Sequence, residues 1–190
     1  MKTRGWHFLL RALSLLFAAL AIGPLLVWAG GDVNFAANWR TADRSSAGLA
    51  PPAAATPEAV VQVYAARAFS WRGLFGVHTW VATKATNADG YLVHQVLGWK
   101  LPRDHSVVDS VPDIPDRSWY DADPWLVAEV RGAAAAALIP QIESAVARYP
   151  YADRYRIWPG PNSNTFVAWI AREVPALTLA LPPNALGKDY

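Results

Sequence analysis

Cysteine is absent from all 190 residues of this chain. That excludes disulfides, thiolate metal sites, a cysteine nucleophile and a lipid-modified cysteine. It is compatible with an oxidising compartment without demonstrating one. Charge is scarce as well: 17% of residues are Asp, Glu, Lys or Arg, and the formal net charge is only +2. So small an excess makes no electrostatic case for nucleic acid, and no Lys/Arg run or RNA-binding signature is present. A phosphate loop, a dinucleotide fingerprint and a metal-spaced His/carboxylate cluster are also missing, so neither cofactor nor metal is expected. No repeat with a period of about 20–50 residues is visible.

What is there begins with a membrane signal. Lys2, Arg4 and Arg11 precede a run from Ala12 to Gly31 with no charged residue. At about 1.5 Å per helical residue that run spans a hydrocarbon core of about 30 Å. Gly23 and Pro24 can kink such a helix without forbidding it. The cations belong on the cytoplasmic side, which places everything after Asp32 outside. A cleaved signal peptide is the rival, since Val27-Trp28-Ala29 fits the small-residue rule before a cut. The run exceeds the usual signal core of about 7–15 residues, which favours an uncleaved anchor. The expectation is a single-pass inner-membrane protein whose domain faces the periplasm, with Trp28 and Trp39 near the outer interface.

Three regions follow: an anchor over 1–31, an extracytoplasmic tether over 32–57 and a domain over 58–190. The tether contains SSAGLAPPAAATP, a Pro/Ala/Ser composition that tends to extended conformations. The domain, at about 130 residues, has the size of a normal single core. A hydrophobic content of 53% and a charge of 17% exclude a disordered chain.

Along the domain, VVQVYAARAF reads as a strand and Trp71-Arg72-Gly73 as a turn. Phe75–Lys84 and Tyr91–Lys100 read as two more strands, joined by the turn-rich ATNADG. Leu101 to Pro115 reads as a polar, Pro-rich loop. Trp125–Arg131 suits a strand, or a helix capped by Asp123 with Pro124 at its first position. Ala133–Arg148 repeats apolar residues at helical spacing, with Pro140 needing local accommodation, and Thr165–Glu173 is the last helix. Strands first and helices afterwards argue α+β, an antiparallel sheet packed against helices and preceded by one transmembrane helix.

The chemistry-bearing residues are few. WPGPNSNTFVAWIARE sets Ser163 in a tight Pro/Gly turn where an amphipathic helix begins. Backbone N–H groups there favour negative charge and can steady an oxyanion. His78 and His94 lie in strand-like surroundings upstream. A hydroxyl at a helix start and imidazoles on a nearby sheet are the parts of a nucleophile site. Paired residues of an antiparallel hairpin have a constant number sum, and only an even one puts both histidines on one face. Pairing Ala82 with Gly90 gives 172 and lets them face each other; an Asp-Gly turn pairing Ala88 with Tyr91 gives 179 and separates them. Each also has a plain structural reading: a strand histidine is commonly half-buried and satisfied, and Asn162, Ser163 or Asn164 would each cap the helix.

The segments ARAFSWRGLFGVHTWVATK, ARYPYADRYRIWPGPNSNTFVAWIAREVP and LPPNALGKDY, with WRTADRSSAG upstream, resemble an uncharacterised family of membrane-anchored bacterial domains, the DUF thirty-seven-fifty family. That resemblance implies no activity. The order of parts is similar, more distantly, to circularly permuted papain-like proteins of the NlpC and lecithin-retinol acyltransferase type. There a strand His is followed by a polar residue on the next strand, then by a late Asn-Cys-x-x-Phe motif opening a helix. His78, His94 and Asn162-Ser163-Asn164-Thr165-Phe166 match, with Ser163 where Cys is expected. The resemblance implies a permuted papain-like fold with Ser163 as nucleophile, His78 as base and His94 as its support, and the Asn164 backbone with Asn162 as oxyanion hole. A serine does not ionise beside an imidazolium as a thiol does, so it needs general-base help.

Ten tryptophans are many for this length. Trp80, Trp99 and Trp169 sit at positions expected to face inward, whereas Trp71, Trp119 and Trp158, in turns or loops, are the candidates for a ligand groove. Arg154, Arg156 and Lys188 are candidates to meet an anionic group. Two function classes follow. One is a serine hydrolase or acyltransferase on cell-envelope amide or ester bonds. The other is an inactive papain-like domain binding an envelope peptide, glycan or lipid, or a protein partner.

Overall fold

The computed structural model describes residues 2–190. Helix α1, Lys2–Gly30, contains the apolar run, and its segment Gly5–Gly30 has a mean hydropathy of 2.2. It is long and apolar enough to cross a membrane, consistent with an anchor.

The rest is α+β. Strands β1 (Val60–Arg67), β2 (Val77–Lys84), β3 (Leu92–Val96), β4 (Val108–Pro112) and β5 (Trp125–Arg131) form one antiparallel sheet in the order β4-β3-β2-β1-β5. β1 sits between two neighbours and is buried at every position but Arg67. This is why VVQVYAA reads as a nearly continuous apolar run and not an alternating one. The region expected to be a loop, 101–115, instead carries the short helix α2 (Leu101–Asp104) and edge strand β4. An edge strand with polar, solvent-facing positions has little apolar signal to betray it.

Both faces of the sheet are covered. On one, Val61, Val63, Val81 and Val96 pack against helix α3 (Gly132–Ala147) through Leu138 and Ile142, and against helix α4 (Ser163–Glu173) through Phe166, Val167 and Ile170. Pro140 lies on the exposed side of α3, where its missing N–H leaves no buried gap. On the other face, Val60, Tyr64, Trp80, Ala82 and Val93 are covered by Ala50, Ala53, Trp119 and Ala122.

Part of the segment read as a tether belongs to this second layer. Residues 43–57 form a strap across the sheet, laced to the loop after β4. The buried carboxylate of Asp116 accepts from the Ser46 hydroxyl (2.8 Å) and from the N–H groups of Leu49 (2.6 Å) and Ala50 (3.1 Å). The Tyr91 hydroxyl donates to Pro51 O (2.9 Å), and Trp80 Nε1 donates to Pro115 O (2.7 Å). A Pro/Ala-rich segment cannot make a core, but it can cover one that the sheet supplies.

Candidate functional site

The sheet register decides what the histidines can do. Val81 pairs with His94, Ala82 with Val93 and Thr83 with Leu92, a constant sum of 175. An odd sum puts His78 and His94 on opposite faces, so the facing arrangement expected from a sum of 172 does not form. The reason is tertiary. The connection after β2 is tied down from outside the hairpin: Asn87, at φ 58°, donates its N–H to Pro57 O (2.8 Å). The buried Lys84 ammonium likewise donates to Glu58 O (3.0 Å). Local turn chemistry contains neither contact.

His78 points to the strap face. Its ring is 5% exposed and stacks on Trp119 with centroids 3.6 Å apart. The Trp80 ring lies 5.6 Å from it and 6.3 Å from Trp119. Its Nε2 meets Gln95 Oε1 at 3.2 Å, Gln95 Nε2 donates to Asp109 Oδ2 at 3.3 Å, and Lys100 Nζ donates to Asp109 Oδ1 at 2.6 Å. A carboxylate only accepts, which fixes the orientation of the Gln95 amide. The amide oxygen then faces His78, so Nε2 carries the imidazole proton. Burial pushes the His78 pKa down to about 3, against a weaker upward pull from the Gln95 hydrogen bond. At neutral pH this is an uncharged, packed imidazole.

His94 points to the helix face. Its Nε2 lies 3.2 Å from Thr83 Oγ1 and its Nδ1 3.0 Å from Ser110 Oγ. Burial lowers its pKa to about 4. Both ring nitrogens are occupied by hydroxyls of its own sheet.

Ser163 is the first residue of α4 and is 3% exposed. Thr79, next to His78 but facing the helices, donates its hydroxyl to Ser163 O (3.4 Å) and to Asn164 Oδ1 (3.0 Å). Among the described residues the Ser163 hydroxyl makes no hydrogen bond to either imidazole. Nor is Ser163 the cap. Asn162 Oδ1 accepts from Asn164 N (2.9 Å) and Thr165 N (3.2 Å), and Thr165 Oγ1 accepts from Asn162 N (3.1 Å). That is a reciprocal capping box.

The expected oxyanion donors, the Asn164 backbone N–H and the Asn162 side chain, are already engaged, the first by Asn162 Oδ1 as above, and the Asn164 side-chain amide is engaged as well. Asn162 Nδ2 donates to Ile157 O (3.0 Å) and Leu186 O (2.9 Å); Asn164 Nδ2 donates to Val77 O (3.0 Å) and Leu186 O (2.9 Å). Thr165 Oγ1 donates to Gly187 O at 2.7 Å. The C-terminal LPPNALGKDY segment is thereby clamped over the start of α4. Gly187 has φ 91°, and a Cβ there would come 2.6 Å from Asn162 Nδ2, so the close approach requires glycine.

The tryptophans sort differently from expectation. Trp80 is buried as expected, and Trp169 is half-buried with its Nε1 donating to Ala145 O. Trp99, expected inside, is 58% exposed and stacks on Trp119 at 5.9 Å. Tyr120 packs edge-on to both. Trp71 pairs with Phe75 instead, and Trp158 stands exposed on the loop before α4. The proposed groove of Trp71, Trp119 and Trp158 is therefore no single aromatic stack. A ledge of Trp99, Trp119 and Tyr120 takes its place, beside Lys100, whose ammonium bridges Asp109 (2.6 Å) and Asp104 (3.3 Å). Those carboxylates hold the Lys100 pKa above its ordinary value. Asp109 escaped sequence reasoning because β4 was read as a loop, and Gln95 and Lys100, in a stretch read as a strand, had no visible partner without it. Of the candidate cations, Arg154 pairs with Asp153 and Lys188 with Asp189.

Residues 58–190 match a protein family of unknown function, DUF3750. The chain belongs to this family. No curated protein and no solved structure matches it. Among the described residues the DUF3750 domain holds no cluster of three or more His, Asp or Glu fit to bind a metal ion.

Proposed function

We propose that this protein is a membrane-anchored DUF3750 domain on the outer side of the inner membrane, where it binds a glycan-containing envelope ligand without turning it over. The observation that carries the reading is the exposed ring of Trp99, backed by the half-buried Trp119 and Tyr120, beside the Lys100–Asp109–Asp104 cluster. Indole faces stack on the apolar faces of sugar rings, and the adjacent charges can bond to hydroxyls and amides. His78 is the floor of this ledge, held neutral beneath Trp119. The order of strand His, next-strand His and helix-opening Asn-Ser supports a permuted papain-like ancestry. The opposed histidines and the engaged Asn162 and Asn164 side chains support binding over catalysis.

The test is titration of the full chain, in detergent, with soluble disaccharide-peptide fragments of cell wall, read by tryptophan fluorescence. Saturable quenching is expected, and Trp99→Ala should weaken it roughly tenfold, the equivalent of one aromatic contact of about 1.4 kcal/mol. Binding that Trp99→Ala leaves unchanged would remove the ledge from the account.

A further inference from the structure

An aromatic knuckle beside the anchor has no role in the fold. The 3-10 turn Ser70–Leu74 between β1 and β2 presents Trp71, 55% exposed, and Phe75 follows at 50%. The two rings pack edge-on at 6.4 Å, and the Arg72 guanidinium lies over the Trp71 ring at 5.2 Å. Large exposed apolar side chains grouped with a cation call for a partner on the outside.

The position of the knuckle says which partner. Gly73 is packed against Val33, whose side chain would lie 3.1 Å from a Cβ there, directly after α1 ends. Arg67, at the end of β1, pairs with Asp32 (3.9 Å) and donates to Gly73 O (3.4 Å). The turn is thus held against the residues with which the chain leaves the membrane helix. Trp28, Phe35 and Trp39 on that exit segment are also exposed, and Arg40 lies over the Trp39 ring at 4.9 Å. Tryptophan and arginine side by side suit the headgroup level of a bilayer, where the ring is half in hydrocarbon and the cation meets phosphate.

We propose that Trp71, Arg72 and Phe75 insert into the interface of the membrane that α1 spans, fixing the domain on the bilayer by a second contact. The proposal rests on α1 being a membrane anchor. It needs no ligand at the Trp99 ledge.

The absence of cysteine makes the test direct, because any introduced cysteine is unique. Full chain carrying Phe75→Cys, or Gln141→Cys on the exposed side of α3, is labelled with an environment-sensitive nitrobenzoxadiazole. Each is reconstituted into vesicles of phosphatidylethanolamine and phosphatidylglycerol, and separately into lipid-free amphipol. Position 75 should show blue-shifted emission, quenched by lipids brominated near the headgroup, in vesicles only; position 141 should stay aqueous in both. Trp71→Cys reads the same surface, so loss of fold in one variant leaves the other as the test. Aqueous emission at both 71 and 75 in vesicles overturns the docking. A blue shift that persists in amphipol assigns the surface to a protein contact and overturns it too. Extraction of the chain from vesicles by alkaline carbonate removes the anchor, and the proposal with it, whatever the emission.

Discussion

At the residue scale, the two histidines are buried titratable groups, and both are constrained to be neutral. Their folded pKa values, about 3 for His78 and about 4 for His94, lie below the ordinary value near 6.5. Between those limits the unfolded chain binds more protons than the folded one. Stability is therefore full above about pH 6.5 and falls as the pH drops toward 4. Each group contributes up to about 1.4 kcal/mol per pH unit in that window. Two buried histidines should thus cost several kcal/mol by pH 5. In His94→Gln, which keeps a polar partner for Thr83 and Ser110, the slope between pH 6.5 and 5 should fall to about half. Urea unfolding of the full chain at several pH values measures it, and an unchanged slope would mean His94 is not held neutral. The presence of two histidines, a serine and flanking asparagines was legible in the sequence. Their mutual placement was not, because it turns on the parity of one hairpin register.

At the scale of elements, the start of α4 was the best-read feature, with its cap left open among three residues. The Pro/Gly turn, the polar triplet and the amphipathic run do open a helix, which begins at Ser163. Three adjacent cap-competent residues leave the cap itself undetermined by composition. Tertiary contacts choose Asn162, because its amide also reaches the carbonyls of Ile157 and Leu186. Asn162→Ala loses the cap, worth about 1 kcal/mol, and strands two carbonyls, so destabilisation of about 2–3 kcal/mol is expected. Ser163→Ala removes a hydroxyl that has no hydrogen-bonded partner among the described residues and should cost less than about 1 kcal/mol. Paired urea titrations rank the two, and equal costs would contradict the capping assignment. β4 shows the converse limit: short, polar and at the edge, it carries too little pattern to be seen alone.

At the scale of the whole molecule, the sequence marks the apolar first helix and the α+β class clearly, because both rest on long runs of consistent pattern. The strap is where composition misleads. SSAGLAPPAAATP has no core-forming residues, yet Asp116 gathers its backbone and the sheet's outer face needs covering. Asp116→Ala leaves three donors without their carboxylate and should destabilise by about 3 kcal/mol. Limited proteolysis should then cut within residues 43–57, which are expected to resist it in the wild type. Equal resistance in both would mean that the strap is held by something else. The central claim is that Ser163, His78 and His94 do not act as a catalytic unit. Its most direct test is fluorophosphonate treatment of the full chain in detergent, followed by intact mass measurement. No adduct is expected, in wild type or in Ser163→Ala. A stoichiometric adduct on wild type that Ser163→Ala abolishes would contradict the claim and restore the domain as a serine enzyme.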